Sequence, residues 1–267
     1  MRISALLLAL ISASPVLACG ADTDCVLGDR TYRIAMPEGY DGKTPVGALV
    51  WSHGYRGSAA GAMRNGSLRR MLSDQGLAFI ATKSKGNDWD IPNGPGKPDS
   101  TGAAEFDYFD AVLADAQARF AIDPERIIVS GFSAGGMMVW NLACSHPQGF
   151  AGFIPMSGTF WLEPPETCAQ PVSSIVHIHG DADNTVPLDG RAINETRQGK
   201  VSDALALYTD FGGFGPAQPV SAGDLTCEDK TNAAGEILDF CLFPGGHSFR
   251  TEHLLYGIEQ LKEAGQL

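Results

Sequence analysis

The segment from Arg126 to Cys144 constrains this chain most tightly. An apolar, β-branched run (Ile127-Ile128-Val129) leads into Gly131-Phe132-Ser133-Ala134-Gly135-Gly136, and a second apolar run reaches Ala143. The pattern reads as strand, sharp turn, helix. A dinucleotide-binding turn needs glycine where Ser133 stands. A P-loop needs Gly-Lys-Ser/Thr where Gly135-Gly136-Met137 stands, so both phosphate readings fail on residue type. Gly131 and Gly135 instead flank a serine at two-residue spacing. That arrangement lifts a hydroxyl above the strand ends, at a helix N-terminus that favours negative charge. The plainer alternative is that these small residues only let the helix pack closely on the sheet.

The rest of the chain repeats the alternation. Strand-like runs are Tyr32–Met36, Gly47–Ser52, Leu77–Thr82, Arg126–Ser130, Gly152–Met156, Ser174–His179, Asp224–Glu228 and Ile237–Phe243. Helical patterns fall at about Ser67–Gln75, Ala103–Phe120, Ala134–Ser145, Ser202–Asp210 and Thr251–Ala264. Several strands are apolar without alternation, as expected when a parallel sheet is covered on both faces. The fold class is therefore α/β: a mostly parallel central sheet with helices on both faces, in a single domain. Two Gly/Pro-rich stretches, Lys83–Ser100 and Phe211–Gly223, read as irregular loops.

The first 18 residues, MRISALLLALISASPVLA, stand apart from that core. Arg2, an apolar run and Val16-Leu17-Ala18 form the pattern of a secretory signal peptide, with cleavage expected near Ala18 and a mature domain over residues 19–267. The expected location is secreted or periplasmic. A lipoprotein signal acylating Cys19 is the alternative. Six cysteines follow, an even number, and export permits disulfides. Order along the chain suggests Cys19–Cys25, Cys144–Cys168 and Cys227–Cys241, the last across a hairpin. No Cys-x-x-Cys pair supports zinc, and no metal or organic cofactor is expected. The formal charge of −12, without a basic cluster, argues against nucleic acid as a partner. No later run is long and apolar enough for stable membrane insertion. Oligomeric state has no sequence signal.

A serine hydroxyl needs a base, and the base needs an orienting acid. Asp183 follows the strand ending at His179, and His247 follows another strand and two glycines. The order Ser133, Asp183, His247 is that of the α/β-hydrolase fold. Asp181 competes with Asp183 for the acid's place; its other reading is a turn-forming aspartate. His53-Gly54 ends a central strand, so the N–H groups of Tyr55 and Ala134 are candidates for an oxyanion hole. His53 reads as structural. His177 and His179 share one side of a strand and lack a third ligand, which favours a hydrogen-bonded core role over a metal pair. His146 and His253 read as surface residues at helix ends. Trp89 and Trp161 lie in loops expected on the active face, where they would line a substrate pocket or pack against the sheet rim.

The segments IDPERIIVSGFSAGGMMVWNLAC, HGDADNTVP and PGGHSF, with YRIAMPEGYDG and LVWSHGYRGS upstream, resemble the secreted poly(3-hydroxybutyrate) depolymerase and feruloyl esterase group of carbohydrate-esterase-like α/β hydrolases. The resemblance implies Asp183 as the acid and a serine carboxylic-ester hydrolase acting through an acyl-enzyme. Relatives often carry small residues after His-Gly, where this chain has Tyr55-Arg56. That bulk would narrow the acyl side of the site. The ester partner is read first as a hydroxyalkanoate oligomer or polymer. A feruloyl or acetylxylan ester of plant polysaccharide is the alternative, and a non-catalytic exported binding protein the distant one.

Overall fold

The computed structural model describes residues 19–267; the expected signal peptide lies outside the described residues. In chain order the elements are β1 (Cys25–Leu27), β2 (Arg30–Ala35), β3 (Val46–Ser52), α1 (Ala59–Met63), α2 (Gly66–Asp74), β4 (Leu77–Ala81), α3 (Ala103–Arg119), β5 (Ile122–Phe132) and α4 (Ala134–Ser145). There follow β6 (Gly152–Met156), β7 (Ser174–Gly180), β8 (Arg191–Ile193), β9 (Thr196–Gln198), α5 (Val201–Gly212), β10 (Gln218–Ala222), β11 (Leu225–Thr231), β12 (Ile237–Phe243) and α6 (Thr251–Glu263).

Among the described residues one sheet runs β1-β2-β4-β3-β5-β6-β7-β12-β11-β10. Its six central strands, β4 to β12, pair parallel, and the two strands at each edge pair antiparallel. The central strands are apolar on both faces because both are covered. Along β3, Val50 points into the layer that holds Phe109, Trp140 and Tyr208 of α3, α4 and α5. Its neighbour Leu49 points into the opposite layer, with Leu72 of α2 and Ile258 of α6. Period-two side-chain alternation thus feeds two cores from one strand. This is the α/β-hydrolase arrangement in a single domain.

The cysteines pair in chain order: Cys19 with Cys25, Cys144 with Cys168, and Cys227 with Cys241. The last pair sits directly opposite on β11 and β12.

Three sequence expectations need correction. The stretch Phe211–Gly223 is not wholly irregular: Gln218–Ala222 forms β10, an edge strand on β11. Its residues are mostly exposed and include Pro219, which an edge strand accepts, so no apolar alternation marks it. The strand expected at Asp224–Glu228 starts at Leu225 and continues to Thr231. His253 is buried rather than a surface residue; it packs on Phe243 and hydrogen-bonds Asp224 at 2.8 Å.

Candidate active site

Ser133 sits between β5 and α4 with φ 61° and ψ −122°, a left-handed conformation rare for a residue with a side chain. Its N–H donates to the Met156 carbonyl at 3.0 Å, and its own carbonyl accepts from Met137 N–H at 3.0 Å. Both bonds hold the turn in its strained form. The flanking glycines are sterically required. A Cβ on Gly131 would lie 2.5 Å from the Gly135 carbonyl oxygen, and one on Gly135 would lie 1.9 Å from that of Ser52. The start of α4 therefore crosses the end of β3 at backbone contact, and Ser133 is lifted above the sheet.

Asp183 lies in the loop after β7 and is buried. Its Oδ1 accepts from the N–H groups of Thr185 and Val186 at 2.8 and 2.9 Å. Its Oδ2 lies 2.6 Å from His247 Nδ1. Burial pushes this carboxyl up, but the bonds from His247, Val186 and Thr185 outweigh it and hold the group below the usual carboxylate range. Asp181, the competing acid, is exposed and accepts from Gly245 N–H at 2.9 Å. It ties its own loop to the His247 loop, as do Asp181 N–H to the Phe243 carbonyl and Ala182 N–H to the Gly245 carbonyl. His247 is held beside the serine turn by its ring contact with Phe132, centroids 4.5 Å apart. No hydrogen bond joins Ser133 to His247 in this structure. Such bonds are often long without substrate and tighten in the complex.

The turn after β3 completes the constellation. A Cβ on Gly54 would lie 3.5 Å from Ser133 Cβ, so the chain entering Tyr55 passes beside the serine. Arg56, at φ 59°, donates its N–H to the Asn87 carbonyl at 2.7 Å, and Gly57 N–H bonds back to Gly54 at 2.8 Å. Among the described residues, the N–H groups of Tyr55 and Ala134 have no protein acceptor. For Ala134 this follows from its place in the first turn of α4. His53 braces this loop: its Nδ1 contacts the Gly54 carbonyl at 2.8 Å and its Nε2 accepts from Ser84 N–H at 3.1 Å. Burial pushes its pKa down to about 4, leaving it a neutral strut.

A cavity of about 1000 Å³ opens at Ser133. Trp89 and Trp161 both line it, although both are otherwise buried. Trp89 is fixed by its indole N–H to the His53 carbonyl at 2.8 Å. Sequence reading missed the rest of the wall. Met137 of α4, Ile91, Val186 and Ile193 supply apolar surface, and Arg30 and Glu105 form an ion pair of 2.7 Å in it. These residues come from four distant segments and carry no shared motif. Cys227, Asp229 and Cys241 have metal-ligand spacing, but the two sulfurs are bonded to each other and offer no thiolate.

Comparison with known proteins places the fold. The Phospholipase/Carboxylesterase family model matches residues 99–205. NocK of Nocardia uniformis subsp. tsuyamanensis, which bears an esterase name, is 31% identical over 60% of this chain and 47% of its own, so this chain spans about half the length of that relative. Feruloyl esterase C of Emericella nidulans is 24% identical over 83% of this chain and 77% of its own. Among solved structures, an acetyl xylan esterase from Aspergillus awamori superposes with a TM-score of 0.62 at 14% identity, over 89% of this chain and 94% of that one. A feruloyl esterase module from Clostridium thermocellum complexed with sinapinate gives 0.60 at 12% identity, over 88% and 82%.

Proposed function

We propose that the chain is an α/β hydrolase of the feruloyl-esterase-like group, and that residues 19–267 form an exported serine carboxylic-ester hydrolase with Ser133, Asp183 and His247 as its catalytic residues. One observation carries the reading: the 2.6 Å Asp183–His247 bond stands next to a strained serine turn that opens on a large cavity.

Ser133 Oγ attacks the ester carbonyl carbon as His247 Nε2 takes the hydroxyl proton. Asp183 holds the Nδ1–H tautomer and steadies the imidazolium. The carbonyl π pair moves onto oxygen, where the N–H groups of Tyr55 and Ala134 receive it. Collapse expels the alcohol, protonated by His247, and leaves an acyl-serine. Water, deprotonated by His247, repeats the sequence and releases the acid.

For the substrate we place a feruloyl or related ester of plant polysaccharide first. The names borne by the relatives and the Trp89 and Trp161 wall support it. Hydroxyalkanoate oligomers, the first expectation from sequence, come second. Export is supported by the leader pattern and by three disulfides.

The test is a release assay on methyl ferulate, acetylated xylan, soluble 3-hydroxybutyrate oligomers and short acyl aryl esters. Ferulate release well above hydroxybutyrate release is expected. Hydroxybutyrate release alone would reverse the order, and no release from any ester would reject the esterase reading.

A further inference from the structure

Two buried histidines remain outside the mechanism. His177 and His179, both on β7, are fully inaccessible. Trp140 Nε1 lies 3.0 Å from His177 Nδ1. His177 Nε2 lies 3.0 Å from His179 Nδ1. His179 Nε2 lies 2.8 Å from the Val186 carbonyl oxygen and 3.5 Å from Asp183 Oδ2.

The direction of this chain is fixed by chemistry. An indole N–H can only donate, so His177 Nδ1 must accept. Its proton is then on Nε2 and donates to His179 Nδ1, which places the second proton on His179 Nε2. That proton goes to the Val186 carbonyl at 2.8 Å, with the Asp183 carboxylate 3.5 Å away. A further proton on either ring would set two donors face to face. Burial, and then the neighbouring His179, hold His177 well below the usual histidine range; burial likewise lowers His179.

We propose that Trp140, His177 and His179 form a one-way hydrogen-bond relay that positions Asp183 relative to Ser133, with His179 as the positioning residue. The proposal rests on the catalytic reading given above. Its two ends explain its use. Trp140 lies on α4, the helix that begins immediately after Ser133. His179 grips residue Val186 by its carbonyl, while Val186 N–H donates to Asp183 Oδ1 at 2.9 Å. The serine helix and the acid loop are thereby joined through the core by groups with one allowed protonation state. His179 Nε2 also lies 3.5 Å from the Asp183 Oδ2 that His247 engages, so its polar N–H acts electrostatically on that oxygen as well as on the loop.

The wild-type protein gives the first test. Imidazole ¹⁵N spectra at neutral pH should show both rings uncharged and protonated on Nε2. An Nδ1–H tautomer or a charged ring at either position overturns the relay. The second test uses variants. His179→Leu, checked for folding by circular dichroism, should lower kcat about tenfold with KM nearly unchanged, the loss expected of one buried hydrogen bond that holds the acid loop. The low-field proton of the His247–Asp183 bond should move further downfield. His179→Gln, whose amide carries both an acceptor and a donor, should restore both. Trp140→Phe removes the relay's obligate donor without touching the acid loop and should reproduce part of the kcat loss. A folded His179→Leu protein with the parent's kcat and low-field proton contradicts the proposal. If the wild-type protein has no esterase activity, the catalytic reading itself fails, and the tautomer result stands apart from it.

Discussion

His247 Nδ1 lies 2.6 Å from Oδ2 of Asp183, while Asp181, two residues before that acid, turns to the Gly245 N–H at 2.9 Å. The two aspartates therefore predict opposite outcomes. Asp183→Asn replaces an acceptor by an amide that can favour the wrong His247 tautomer, and kcat on an aryl ester should fall by about four orders of magnitude. Asp181→Asn should leave kcat within about threefold, since the amide oxygen can still accept from Gly245 N–H. Steady-state kinetics on both variants decide it; equal losses would contradict the assignment of Asp183.

The serine turn carries a steric prediction. A methyl group at Gly135 would sit 1.9 Å from the Ser52 carbonyl oxygen, a backbone atom that cannot swing aside. Gly135→Ala should cost about 3 kcal/mol or more in urea unfolding. Gly96→Ala, where nothing lies within 4 Å of the new Cβ, is the matched control and should change stability little.

Asp239 predicts how stability follows pH. It is buried and faces Asp229 across the β11–β12 pair. Burial, and then the Asp229 charge, push its carboxyl up to about 8. The folded chain thus keeps a proton that an unfolded aspartate releases near about 3.9. Its contribution is fully present below about pH 4 and is lost as pH rises through about 8. Asp239→Asn should remove that slope and exceed the parent's stability above pH 8 by on the order of a few kcal/mol. Urea midpoints at acidic, neutral and basic pH test it; parallel curves for parent and variant would contradict it.

The sheet was legible because several of its central strands carry continuous apolar runs, and the candidate residues were legible because Ser133, Asp183 and His247 each follow a strand. Two kinds of feature were not. β10 carries Pro219 and exposed side chains, so no periodicity marks it. His253 looked exposed because it stands in the first turn of a helix, yet α6 presses that turn onto Phe243. The cavity wall was legible only at Trp89 and Trp161, since Arg30, Met137 and Ile193 meet there through folding alone. The sequence places the two β7 histidines in a hydrogen-bonded core role, which their contacts bear out. Their direction could not be read, because it depends on Trp140 arriving from α4.

The central claim is that Ser133 is an activated nucleophile. The measurement is covalent labelling of the purified protein by a fluorophosphonate probe, read beside aryl-ester turnover, with Ser133→Ala as the control. The account predicts labelling at Ser133, turnover in the parent, and loss of both in a variant that keeps the parent's circular dichroism and melting behaviour. Undiminished turnover in folded Ser133→Ala, or a parent protein that neither labels nor turns over ester, would contradict it.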